Sequence, residues 1–330
     1  MGIIDFFVKI IAVKKYVVIL ICLLFAAGIV SFYFPYANNS NNKSIASPLP
    51  EQFSKKENSE VSSLDFWLPS LFGIFKTDKE VPEISAKSAI VYDLIDEKVI
   101  YDKNSREALP MASLTKIMTA MVAIDHKSQD DRYTVYPENL VGENTIGLSA
   151  GEAMNLEELL YGVFMYSANE AAEALASNTL GRDKFIKAMN DKAKSIGLEN
   201  TNFTNPTGLE GDGDQHTTAY DLLVLARFAV SNYPEIVKAS STAKLYIPET
   251  KDHFAYDMYN QLNLVTTYPG VKGLKDGYTP EAGLCLVTYL DYEGHKIIGV
   301  ILGSENRREE MKDLLDYSLK AQGIDPPPHT

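Results

Sequence analysis

The chain has 330 residues, 45% hydrophobic and 23% charged, a composition that excludes wholesale disorder and, at about 100–200 residues per domain, accommodates one large domain or two modest ones. Its net charge is −13, and the first 34 residues set Lys9, Lys14 and Lys15 against Asp5, so the remainder is more acidic still and lacks the basic footprint that nucleic-acid binding requires. Cys22 and Cys285 lie in unrelated apolar contexts and the five histidines show no ligand spacing, which argues against a disulfide framework and a metal hydrolase.

From the N-terminus, Tyr16 to Phe34 is a run of 19 residues without a charge. A helix of that length rises about 28 Å, close to the hydrocarbon thickness of a bilayer. Lysines precede the run and the next charge is Lys43. The positive-inside rule then places residues 1–15 in the cytoplasm and the main body outside, as a single-pass protein of the cell membrane. A cleaved signal peptide fits less well, because its apolar core is about 7–15 residues long and a small-x-small site follows it. Residues 35–63 are rich in Asn, Ser, Lys and Pro and read as a solvated tether, the first part of a linker over 35–82. Within that linker, apolar and aromatic residues 64–75 hold the single Trp. They read either as a segment packed on the main domain or as one lying on the membrane surface.

In the main body, 87–93 and 98–102 are β-rich and read as a hairpin. Ile117, Met118, Met121 and Ile124 recur at helical spacing over 113–126, with Ser113 at the start. Helices are expected over 155–165 and 169–180, broken at Tyr166-Ser167-Ala168, then over 182–196 and 218–231. Strands follow at 243–248, 270–278, 283–290 and 295–302, the last two joined by the turn Asp291–Gly294, and a final helix runs over about 305–321. Strands at both ends enclosing a helical middle imply an α+β fold with one antiparallel sheet.

Three short motifs stand out. Ser113-Leu-Thr-Lys116 opens an apolar helix, where positions three apart share a face, so the hydroxyl and amine can meet. A serine is a weak nucleophile until a base takes its proton, and a lysine can be that base if burial or nearby cations lower its pKa. Read alone, the pair is also an N-cap serine with a surface lysine. Ser167-Ala-Asn169 follows 54 residues later between two helices, where helix capping is the ordinary reading. Lys275-Asp-Gly277 ends a strand-like run, and Asp-Gly is a common turn dipeptide. Their order changes the weighing, because S-x-x-K, S-x-N and a K-x-G triplet together mark penicillin-binding proteins and class A β-lactamases.

The chain here resembles the serine D-alanyl-D-alanine carboxypeptidases, the low-molecular-weight penicillin-binding proteins of peptidase family S11. The resemblance covers about 83–322, leaving 323–330 as a tail. It rests on Pro110–Ala120, Leu159-Leu-Tyr-Gly with Ser167–Ala172, Asn205–Leu209, Tyr268–Val271 leading into Lys275, and Ala282–Leu286. It implies a β-lactamase/DD-peptidase-like architecture: a five-stranded antiparallel sheet with helices on both faces, and a mostly helical subdomain carrying the first two motifs. It further implies an acyl-serine enzyme of peptidoglycan stem peptides, needing no cofactor or metal and covalently inhibited by β-lactams. By position, Ser113 is the nucleophile, Lys116 its base and Ser167 the relay to the leaving amine, while Asn169 holds Lys116 and the substrate. Lys275 and Gly277 complete the third motif, the backbone N–H groups of Ser113 and Tyr278 form the oxyanion hole, and Arg307, with Arg308 beside it, matches a carboxylate-binding arginine.

Asp276 departs from the family pattern, which has threonine. An aspartate accepts but does not donate, and two like charges about 4 Å apart cost roughly 4 kcal/mol at an effective dielectric of 20. The departure predicts weak carboxypeptidase activity and slow β-lactam acylation unless Arg307 compensates. It keeps open DD-endopeptidase action on crosslinks, or a weakly active or non-catalytic wall-binding scaffold. A class A β-lactamase is disfavoured, because Leu198-Glu-Asn-Thr-Asn-Phe203 stands where a deacylating E-x-x-L-N would be expected.

Overall fold

The computed structural model describes Leu68, residues 80–127 and residues 130–329. The expected anchor, the tether and, apart from Leu68, the apolar segment 64–75 lie outside the described residues. Among those described, no helix is long and apolar enough to cross a membrane.

The sheet is built from β1 (Ser88–Asp93), β2 (Lys98–Lys103), β7 (Val271–Thr279), β8 (Gly283–Tyr292) and β9 (His295–Ser304), in the order β2-β1-β9-β8-β7 with all pairings antiparallel. The first and last strands in sequence thus meet at the β1–β9 pairing, as the α+β reading requires. The β8–β9 turn is Glu293-Gly294, both at positive φ (49° and 87°), the conformation that matches a two-residue hairpin to strand twist.

Both sheet faces are covered, which explains why these strands read as continuous apolar runs rather than alternating ones. On one face Ala89, Val91, Leu286, Leu290, Ile297 and Ile301 form a core with Met311, Leu314, Leu315 and Leu319 of the C-terminal helix. On the other, the helix Ala219–Asn232 packs on β1, β8 and β9, and its Arg227 donates to the Tyr92 hydroxyl at 3.2 Å. Gly299 leaves room for Met311, since a Cβ there would stand 2.6 Å from its sulfur.

The helical part centres on α1 (Lys116–Asp125), whose residues Lys116–Ala123 are all buried. Around it pack α2 (Leu156–Met165), α3 (Asn169–Thr179), α4 (Arg182–Ser195) and the sheet-covering helix α5 (Ala219–Asn232). Apart from Lys116 and Thr119, those buried residues are apolar on all sides of the helix, the pattern of a helix enclosed by its neighbours. A capping box starts α2: Asn155 Oδ1 accepts from Glu158 N–H and Glu158 Oε2 accepts from Asn155 N–H, both at 2.9 Å. Thr218 caps α5 by accepting from Asp221 N–H at 3.0 Å.

The structure adds elements that the sequence pattern did not signal. These are the two-residue pair β3 (Tyr133–Thr134) and β4 (Ala153–Met154), the strand β6 (Tyr256–Tyr259) beside β5 (Lys244–Ile247), and the short helices α6 (Pro234–Ser241) and α7 (Leu264–Thr267). The last helix, α8 (Arg307–Ala321), starts two residues later than expected. Proline at its first turn marks α6, a start signal with a physical basis. The others are too short for periodicity to register.

Candidate active site

Ser113 lies in a 3-10 turn, Ala112–Thr115, that runs directly into α1. Ala112 is held at φ 47°, a left-handed conformation uncommon for a residue with a side chain and one that clusters at functional sites. The turn is pinned from outside. A Cβ at Gly208 would stand 1.9 Å from Ala112 O, and one at Gly277 2.8 Å from Ser113 N. Only glycine allows both backbones to approach so closely.

Lys116 is fully buried. Its Nζ donates to Ser113 Oγ at 2.9 Å, Asn169 Oδ1 at 2.8 Å and Thr207 O at 2.6 Å. Burial, reinforced by the charge of Lys275, pushes its pKa well below the ordinary lysine value, while Asp276, Glu170 and Glu173 oppose the shift. The geometry joins a hydroxyl to an amine that is disposed to lose its proton. The cap reading of Ser113 does not hold: its side chain faces Lys116, and no side chain caps α1.

Ser167 and Asn169 sit at the α2–α3 break, as the sequence places them. Ser167 has φ 58°. Ala168 N–H donates to Gly162 O at 3.1 Å and Asn169 N–H to Asn144 O at 2.8 Å, which fixes the bend. Ser167 Oγ and Asn169 Nδ2 are both buried without a hydrogen-bond partner. Such orphans are rare in folded proteins and call for a specific explanation.

The third motif does not end its strand. β7 continues through Thr279, because Gly277 and Tyr278 pair with Cys285 and Leu284 of β8. Lys275 is buried, and its Nζ donates to Asp276 O at 2.7 Å and Asp276 Oδ1 at 3.0 Å. Arg307 Nη2 donates to Asp276 Oδ2 at 2.5 Å, and its Nη1 donates to Gly277 O. Burial pushes the Asp276 carboxyl up, but Lys275 and Arg307 outweigh it and hold its pKa below the usual aspartate value. Of the two neighbouring arginines, Arg307 makes the contact, while Arg308 Nε lies 3.6 Å from Glu309. The Tyr278 side chain is exposed.

Sequence reasoning gave no role to Thr207, whose carbonyl is the third Lys116 acceptor, nor to the loop that presents it. Asn205 Oδ1 accepts from Thr207 N–H, Thr207 Oγ1 and Gly208 N–H at 3.1, 3.0 and 2.7 Å. This asparagine-organised turn was legible in Asn-Pro-Thr-Gly. A cavity of about 330 Å³ opens beside it, lined by Pro110, Ala112, Gly208, Leu209, Thr279 and Glu281 among others.

A serine turn feeding a buried lysine, an S-x-N bend beside it and a lysine-bearing edge strand define the acyl-serine class shared by penicillin-binding proteins and β-lactamases. The D-alanyl-D-alanine carboxypeptidase family model matches residues 75–306, and the chain belongs to that family. It is 36% identical over 244 residues to the D-alanyl-D-alanine carboxypeptidase DacF of Bacillus subtilis, covering 71% of this chain and 62% of that protein. A solved penicillin-binding protein homologue from Mycobacterium tuberculosis superposes with a TM-score of 0.70 at 26% identity, covering 78% of this chain and all of that one. Penicillin-binding protein D2 of Listeria monocytogenes, solved in its ampicillin-bound form, superposes with a TM-score of 0.64 at 26% identity over 72% of this chain and 99% of its own.

Proposed function

We propose that the protein is a serine-type D-alanyl-D-alanine carboxypeptidase that cleaves peptidoglycan stem peptides through an acyl-serine intermediate. The observation that carries this reading is the contact between Ser113 Oγ and the buried Lys116 Nζ at 2.9 Å. A neutral Lys116 has two N–H donors and one lone pair. Asn169 Oδ1 and Thr207 O take the donors, leaving the lone pair for the Ser113 proton.

Ser113 Oγ attacks the carbonyl of the penultimate D-alanine as its proton passes to Lys116. Ser113 N–H and Tyr278 N–H stabilise the developing oxyanion, each worth about 3–4 kcal/mol. The C–N bond breaks as the proton reaches the leaving amine through Ser167. Water then hydrolyses the ester, releasing the shortened peptide and restoring Ser113. β-Lactams enter the same path and stop at the acyl-enzyme, a reading supported by the ampicillin-bound relative. Residues 16–34 hold the domain on the outer side of the cell membrane, a placement supported by the uncharged run and the lysines before it.

The test is mass spectrometry after prolonged incubation with penicillin. The adduct is expected on the peptide containing Ser113 and is lost in Ser113→Ala. An adduct on another residue overturns the assignment, and no adduct at all returns the chain to a non-catalytic scaffold.

A further inference from the structure

Two cations on and beside the strand that abuts the nucleophile turn, Lys275 and Arg307, already hold a carboxylate. Asp276 places Oδ1 3.0 Å from Lys275 Nζ and Oδ2 2.5 Å from Arg307 Nη2. The same strand, one residue on, presses Gly277 against Ser113 N. The arrangement is braced behind Arg307. Glu310, in the first turn of α8, accepts from Ser304 Oγ at 2.6 Å and from Ser85 N–H and Oγ at 2.5 Å each. These bonds tie the first turn of α8, which carries Arg307, to the end of β9 and to Ser85.

In a D-alanyl peptide the leaving residue's α-carboxyl lies one residue beyond the reacting carbonyl, a separation of about 4 Å. Because Gly277 abuts the Ser113 nitrogen, a substrate whose reacting carbonyl is on Ser113 brings an α-carboxyl about 4 Å further on within reach of the edge strand β7, beside Asp276 and the cations it holds. A free carboxylate there meets the Asp276 charge, and displacing Asp276 breaks two charge-assisted hydrogen bonds at once. An amide or peptide-linked α-carboxyl carries no such charge.

We infer that Asp276 is a specificity-determining residue that slows the carboxypeptidase reaction on leaving residues with a free α-carboxylate relative to cleavage where the α-carboxyl is masked as an amide or peptide. This rests on the acyl-serine reading above and names the class of leaving end for the same site. Asp276 occupies the cations itself, so selection comes from an internal carboxylate rather than from a missing receptor.

The experiment uses the full chain and two probes, an N-acylated L-lysyl-D-alanyl-D-alanine peptide and its C-terminal carboxamide. Product is measured by mass spectrometry in wild type, Asp276→Asn and Asp276→Thr. The readout is the ratio of kcat/KM for the free acid to that for the carboxamide, within each protein. Partial misfolding changes both terms alike and cancels. The ratio is expected to rise at least fivefold in both variants. A smaller rise in either, with turnover intact, overturns the inference and leaves the acyl-serine reading standing. No turnover of either probe by wild type, together with no Ser113 adduct, defeats that reading and the inference with it.

Discussion

Gly277 and Ser113 are 164 positions apart in the chain, yet a single methyl group added to Gly277 would stand 2.8 Å from the Ser113 nitrogen. That approach joins the sheet to the helical part at the proposed nucleophile. It also sets the Ser113 nitrogen against the edge of β7, one residue before Tyr278, the other donor of the proposed oxyanion hole.

Gly277→Ala should therefore damage chemistry more than folding. Displacing one oxyanion donor costs about a hundredfold to a thousandfold in rate, and the acylation rate of Ser113 should fall within that range. Stopped-flow acylation, beside a thermal melt of the same preparation, checks this. A rate within threefold of wild type would remove Gly277 from the donor geometry.

Lys116 makes the pH dependence specific. In the proposed mechanism its neutral form is the base, and burial followed by the Lys275 charge lowers its pKa well below 10.5. The acylation rate should rise with pH as Lys116 loses its proton, with the rising limb below the ordinary lysine range. Lys275→Met removes the second cause and should move that limb to higher pH. Lys116→Ala should reduce acylation by about 10²–10⁴, the usual contribution of a positioned base. A limb that stays in place in Lys275→Met would detach it from Lys116.

Glu170 is a positioning residue. It is buried, and its Oε1 accepts from Thr145 Oγ1 at 2.5 Å and Ile146 N–H at 2.8 Å. It thereby holds the segment whose Asn144 carbonyl accepts from Asn169 N–H. Glu170→Ala should lower kcat about tenfold or more with little change in KM, and Glu170→Gln should recover part of the loss. Equal recovery of melting temperature and kcat would reduce its role to stability.

The α2 cap gives a stability prediction remote from the chemistry. Asn155→Ala removes one half of the capping box, and such losses cost about 1 kcal/mol. Urea denaturation should show the midpoint lowered with an unchanged slope, while acylation of the folded fraction is unaffected.

Deleting residues 1–34 tests the anchor. The shortened protein is expected in the soluble fraction and should still label with a fluorescent penicillin at Ser113. A mature N-terminus near residue 38 in the native protein would show cleavage instead.

The sequence by itself determined the long elements and the motif order. Apolar periodicity located α1 to α5, and continuous β-rich runs located the five sheet strands, because each element buries enough residues to mark its own pattern. Ser113 and Lys116 were legible as a pair because a three-residue offset on a helical turn is local geometry. Asp276 and Arg307 were individually visible, and their pairing was open only as a compensating possibility. Tertiary structure decided the rest. It closed the two cations on Asp276, brought Thr207 O to Lys116 from 91 positions away, and required glycine at 208 and 277 through backbone contacts that no local pattern encodes. Those features depend on packing the sheet edge against the nucleophile turn. Long-range contact and desolvation, rather than propensity, lower the pKa of Lys116 and set the surroundings of Asp276.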